Sequence, residues 1–120
     1  MARVLIVDDS PTELMKLRAP LEAEGFQITE ASSGDDAIAK AKAQRPDIIV
    51  MDVVMPGMNG FQATRTLTRD PDTKDVPILV CSSKNQETDK LWAKRQGAAE
   101  YLVKPVKPAD LIAKVKTLLK

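Results

Sequence analysis

The chain predicts an α/β fold: a doubly wound parallel sheet with helices on both faces, formed as one domain over residues 1–120. Three observations lead there. Short apolar, β-branched runs alternate with stretches of helical spacing, strand then helix, five times over. The runs are continuous rather than alternating, as in strands covered on both faces. Four of them end in polar residues: Val7-Asp8-Asp9-Ser10, Asp52-Val53-Val54-Met55-Pro56, Cys81-Ser82-Ser83 and Val103-Lys104-Pro105.

The first strand is Arg3 to Val7. Ser10-Pro11 then opens a helix, with a cap residue followed by proline in the first turn, and Glu13 stands three residues after Ser10 as in a capping box. Leu14, Leu17 and Leu21 give that helix its apolar face, and Gly25 closes it. Pro20 lies inside the pattern, where proline costs about 3 kcal/mol, so a kink or an early break is expected. Phe26 to Ala31 is the second strand, and Ser33 to Ala43 the second helix, with Ala37, Ile38 and Ala41 inward. Pro46 precedes the third strand, Asp47 to Met51, and Met55 to Asn59 is a loop with proline and glycine. Gly60 to Arg69 is the third helix, and Asp70 to Asp75 a polar connector. Pro77 to Cys81 is the fourth strand, and Gln86 to Gln96 the fourth helix, stopped by Gly97. Glu100 to Val103 is the last strand, and Pro108 opens a helix carrying Leu111, Ile112, Val115 and Leu118.

Composition narrows the function. A chain of 120 residues with 43% hydrophobic and 29% charged residues can bury a core without disulfides. The net charge of +1 gives no electrostatic case for nucleic acid or anionic membranes. Cys81 has no cysteine partner and falls in a strand, so a buried thiol is expected. The absence of histidine excludes Ser-His and Cys-His catalysis, histidine metal ligands and a phosphohistidine in this chain. The apolar start ends at two aspartates after four residues, and no segment approaches membrane-spanning length, so a cytoplasmic protein is expected.

In an open parallel sheet, the carboxyl ends of the strands share one edge. Asp8, Asp9, Asp52, Ser82 and Lys104 are therefore expected to meet. Three carboxylates in one cleft resist joint ionisation, and Mg²⁺, which takes hard oxygen ligands, would relieve that conflict. Such a cleft can also draw in a phosphoryl group, with Asp52 as nucleophile, Lys104 as counter-charge and the Ser82 hydroxyl as donor.

Together these motifs resemble the receiver domain of two-component response regulators, the CheY-like family. Val7-Asp8-Asp9-Ser10, Met51-Asp52-Val53-Val54-Met55-Pro56, Gly60 and Lys104-Pro105 match in type and order, and the likeness covers essentially the whole chain. The resemblance implies a flavodoxin-like (βα)5 sheet of strand order 2-1-3-4-5. It implies Asp52 as phosphoacceptor and Mg²⁺ held by Asp8, Asp9, Asp52 and the Val54 backbone carbonyl, Asp8 acting mainly through water. Ser82 and Tyr101 fill the places of the switch hydroxyl and switch aromatic, and Lys104-Pro105 that of a cis peptide. Met58 to Arg65 and Gln86 to Ala98 resemble the single-domain regulators of chemotaxis-like, twitching-motility (type IV pilus) pathways. The partners implied are a CheA-type histidine kinase and a motor or regulatory protein that reads helix four, strand five and helix five. A monomer is expected, either switching its output surface or acting as a phosphate sink.

Particular residues qualify this picture. Serine at 82 lacks the methyl group that fixes a threonine rotamer. Val54 offers no polar group to hold an attacking water, and Lys84 places a cation near the entrance. Met55 is expected in the wall of the site. Trp92 suits packing or recognition equally, while Lys90, Lys94 and Arg95 read as a solvated helix face. A haloacid-dehalogenase-like phosphatase would also use Asp52 with Mg²⁺, but it needs a second aspartate where Val54 stands. A phosphate-independent interaction module would be expected to lose an acid or the lysine, and both are kept.

Overall fold

The structure, a computed structural model, describes residues 2–55 and 57–119. Its strands are β1 (Arg3–Val7), β2 (Gln27–Ala31), β3 (Ile48–Met51), β4 (Ile78–Ser82) and β5 (Glu100–Val103). Its helices are α1 (Pro11–Ala23), α2 (Gly34–Ala43), α3 (Gly60–Arg69), α4 (Glu87–Arg95) and α5 (Pro108–Leu118). Strand bounds read from the sequence hold to within one residue. Pro56, part of the expected Met55 to Asn59 loop, lies outside the described residues.

All strand pairs are parallel, in the order β2-β1-β3-β4-β5. The chain therefore steps outward from β1 to β2, returns, and continues on the other side through β3. That reversal leaves a crevice between the carboxyl ends of β1 and β3, the place where open α/β sheets bind ligands. The register sets Val7 beside Met51, so Asp8 and Asp52 leave the sheet at the same level.

Side chains alternate across the sheet into two separate cores. Val4, Ile6, Ile48, Val50, Leu79 and Cys81 face Leu14, Leu17 and Leu21 of α1 with Leu111 and Val115 of α5. Leu5, Val7, Ile49, Met51, Ile78 and Val80 face Ala37 and Ala41 of α2, Ala63 and Leu67 of α3, and Ala93 of α4. The small alanines let three helices lie close against one face.

Pro20 neither breaks nor ends α1, which runs three residues further to Ala23. Proline removes an N–H that would have bonded Lys16, but Lys16 is exposed, so its carbonyl can bond water. The last turn is fixed from the other side. Gly25, at φ 93°, donates its N–H to Glu22 O at 2.9 Å, and Phe26 donates to Leu21 O at 3.2 Å. This paired closure is the Schellman pattern.

The capping box expected at α1 is only half present. Ser10 Oγ accepts the Glu13 N–H at 3.3 Å. The return bond has no donor, because the Ser10 N–H is already given to Asp8 Oδ1 at 3.0 Å. The Glu13 carboxylate turns instead to Lys16, at 3.8 Å, and Lys104, at 3.9 Å.

Candidate functional site

Asp8 and Asp9 follow β1, and Asp52 follows β3, on either side of the crevice. Each offers a carboxylate oxygen, and the three oxygens lie within 4.8 Å of one another. They open into a cleft of about 480 Å³ lined also by Ser10, Glu13, Val54, Ser83, Lys104 and Pro105. Asp8 and Asp52 are buried, at 1% and 9% exposure, while Asp9 is exposed. Two acids thus form the floor and one the rim.

Lys104 arrives from the end of β5. Its Nζ lies 2.7 Å from Asp8 Oδ2 and 3.8 Å from Asp52 Oδ2. The Lys104-Pro105 bond is cis, as the family pattern implies. Asp52 Oδ1 accepts the Val53 N–H at 2.8 Å and the Val54 N–H at 3.4 Å, so Oδ2 is the oxygen turned toward the ammonium. Burial lifts the Asp52 carboxyl above its ordinary range; the Asp8 charge adds to this, against the pull of Lys104 and the two N–H groups. Burial alone would lower the Lys104 ammonium, but the Asp8 hydrogen bond and the charges of Asp52, Asp8 and Glu13 together raise it. One ammonium therefore serves several carboxylates, an arrangement short of positive charge. The donor set of hard oxygens fits a small divalent cation, which would supply the missing charge.

α3 begins hard against the acceptor strand. The Gly60 N–H donates to Val53 O at 3.1 Å, and a Cβ at Gly60 would lie 2.1 Å from Asp52 O. Only glycine lets the helix start this close to the backbone that carries Asp52.

Ser82 ends β4 and is fully buried. It stands behind the cleft wall, where Ser83 is the residue that lines it. The Ser82 Oγ accepts the Lys84 N–H at 3.2 Å. The Tyr101 hydroxyl donates to the Lys84 carbonyl at 2.8 Å. The two switch positions are thus joined through the backbone of Lys84. Burial raises the Tyr101 phenol, with Ser82 partly offsetting it. The Tyr101 ring packs against the core shared by α2, α3 and α4.

The structure brings together Asp8, Asp9, Asp52, Val54 and Lys104, and sets Ser82 and Tyr101 immediately behind them. Met55 does not line the cleft; it is buried in the core, because the chain turns inward there toward α3. Four lining residues are not among those expected from the sequence: Ser10, Glu13, Ser83 and Pro105. Glu13 had a local explanation as a cap, and no spacing rule connects it to a lysine 91 residues later. Cys81 is buried as expected, its thiol pushed up to about 12 by burial.

The family described as the response regulator receiver domain matches residues 4–116. The chain belongs to the response regulator receiver domain family. Protein PilH of Pseudomonas aeruginosa is 53% identical to this receiver over 119 residues, covering 99% of the chain and 98% of the relative. Among solved structures, the chemotaxis protein CheY4 of Vibrio cholerae superposes with a TM-score of 0.93 at 34% identity, covering 98% of each chain. The receiver domain of the sensor histidine kinase PA1611 from Pseudomonas aeruginosa superposes at 0.91 with 29% identity, covering 98% of this chain and 97% of that one. That structure carries a magnesium ion coordinated in its active-site cleft. The receiver fold, with strand order 2-1-3-4-5, is the expected CheY-like one. Among the described residues, no helix is long and apolar enough to cross a membrane.

Proposed function

We propose that this receiver is a phosphorylation-controlled switch that accepts a phosphoryl group on Asp52 from a CheA-type histidine kinase. The observation that carries the reading is the convergence of Asp8, Asp9 and Asp52 with Lys104 in one cleft at the strand switch point. Asp8, Asp9, Asp52 and the Val54 carbonyl would hold Mg²⁺, which when bound supplies positive charge to the phosphoryl oxygens and lowers repulsion among the acids. The magnesium in the related PA1611 receiver supports that assignment.

In the transfer, Asp52 Oδ2 attacks phosphorus. A P–O bond forms as the P–N bond of the donor phosphohistidine breaks, and the leaving imidazole takes a proton from solvent. Lys104 exchanges part of its contact with Asp8 and Asp52 for a phosphoryl oxygen. Ser82 offers its hydroxyl proton to another, since its oxygen lone pair already accepts from Lys84. A shift of Ser82 draws on the Lys84 backbone and so on the Tyr101 hydroxyl, which carries the change to α4, β5 and α5. A partner reads it to the extent that it binds the two states unequally.

The likeness to PilH supports a place in a chemotaxis-like pathway that governs twitching motility. There the receiver either presents its switched face to a motor or regulatory protein, or drains phosphate from the kinase. The receiver acts in the cytoplasm as a monomer. Incubation with Mg²⁺ and acetyl phosphate or phosphoramidate, followed by intact mass, is the direct test. One phosphoryl adduct that is absent in Asp52→Ala and in EDTA supports the reading. No adduct with either donor would overturn it in favour of a phosphate-independent module.

A further inference from the structure

Trp92 is the single tryptophan of the chain and stands 49% exposed. It lines a groove between α3 and α4 with Asn59, Phe61, Gln62, Arg65 and Gln96. We propose that this groove is a docking site for an acidic peptide segment of a partner protein, anchored by an aromatic or large apolar side chain.

The groove measures about 260 Å³. That is below the roughly 300–1,000 Å³ of small-molecule sites, and it suits one bulky side chain better than a metabolite. Its walls are Phe61 and Trp92, one on each helix. Phe61, Arg65 and Arg69 recur every fourth residue along α3, and Trp92 and Arg95 are three apart on α4, so each aromatic continues into arginine along the surface. Tryptophan and arginine are the residues most enriched at binding hot spots.

Charge decides the occupant. α3 contains no aspartate or glutamate at all. Among the described residues, Arg65, Arg69, Lys94 and Arg95 form no ion pair within 4.0 Å, whereas lysines on α1, α2, α4 and α5 do. On α4, Glu87 pairs with Lys90, and Asp89, three residues before Trp92, accepts the Gln86 N–H. The groove lining thus sets one guanidinium, Arg65, beside the aromatic surface of Phe61 and Trp92 and holds no acid, and a carboxylate-flanked anchor complements both. α4 buries only Ala93 among its nine residues, so its exposed face is open to a partner.

The test is selection of random peptides on the full-length protein without a phosphodonor, which separates its outcome from the phosphoacceptor reading. Selected peptides are then titrated against parent, Trp92→Ala, Arg65→Glu and Arg45→Glu. The last makes the same charge change at an exposed residue between α2 and β3, outside the groove lining. Expected are peptides with acids flanking an aromatic or leucine. Affinity should fall at least about tenfold in Trp92→Ala and Arg65→Glu, but not in Arg45→Glu. Binding should also weaken with salt. Exposed positions should leave the melting temperature unchanged, which circular dichroism checks. Four results would each overturn the proposal: no enriched peptides; neutral or basic peptides; equal loss in Arg45→Glu; or a parent dimer in sedimentation that Arg65→Glu abolishes, since a second copy would then fill the groove.

Discussion

Gly60→Ala should destabilise the receiver far more than an added methyl group at a helix start ordinarily would. The new Cβ would lie 2.1 Å from Asp52 O, 2.6 Å from Val53 Cα and 2.8 Å from Asp52 C. Carbon atoms in contact sit about 3.5–4.0 Å apart, so α3 must retreat by about 1 Å or more. The three nearest atoms are all backbone, so no side-chain swing relieves them. Overpacking of this kind costs about 1–3 kcal/mol. The retreat also lengthens the bond from the Gly60 N–H to Val53 O, now 3.1 Å, a net loss of about 0.5–1.5 kcal/mol. The helix propensity of alanine returns less than about 1 kcal/mol. The sum is about 0.5–4.5 kcal/mol, centred on about 2.5 kcal/mol, or a fall of about 10 °C in Tm at that centre for a domain of this size. Thermal and urea denaturation followed by circular dichroism would measure it. Gly25→Ala is the comparison, because there a Cβ meets nothing within 4 Å and only the positive φ is strained, at about 1–2 kcal/mol. A Gly60→Ala protein that melts no lower than Gly25→Ala would refute the reasoning. The close approach of α3 to the acceptor strand would then not be tight.

Three further outcomes follow from the site. Asp52→Asn should be more stable than the parent at pH 7 without divalent ions. A folded pKa above the unfolded value makes the charged carboxylate a liability that grows as pH rises through that raised value and vanishes below the unfolded one. Melting curves of the two proteins should therefore converge near pH 3, and a parent that is the more stable at pH 7 would contradict this. Val54 is 51% exposed and lines the cleft, so Val54→Asn should hold an attacking water and speed loss of the phosphoryl group by about 2–10-fold; an unchanged or slower decay in a phosphate-release assay would count against it. Cys81, with its thiol pushed up to about 12, should resist iodoacetamide at pH 8 until urea unfolds the chain, as mass spectrometry would show.

The sheet was legible because each strand is a continuous apolar run, and a run of that kind has few alternatives when it is followed by a capping residue and helical spacing. The acids and the lysine were legible for a related reason: parallel topology converts a position at a strand end into a position at the cleft. What escaped the sequence depended on competition between partners. Glu13 could satisfy either the Ser10 N–H or a lysine, and the choice turned on Asp8 already holding that N–H. Ser82 and Ser83 are neighbours with identical side chains, and only the end point of β4 decides which faces the cleft. The direction of Trp92 depends on how α4 rolls against α3, and a helix that buries one alanine leaves little pattern by which to judge it.

The bridge between Ser82 and Tyr101 is written in main-chain atoms, one N–H and one carbonyl of Lys84. Any side chain can therefore stand at position 84 without rewiring it, except proline, which has no hydrogen to give. That side chain is exposed, so the surface charge at position 84 can change while the internal linkage keeps its wording, and tuning and transmission are inherited separately.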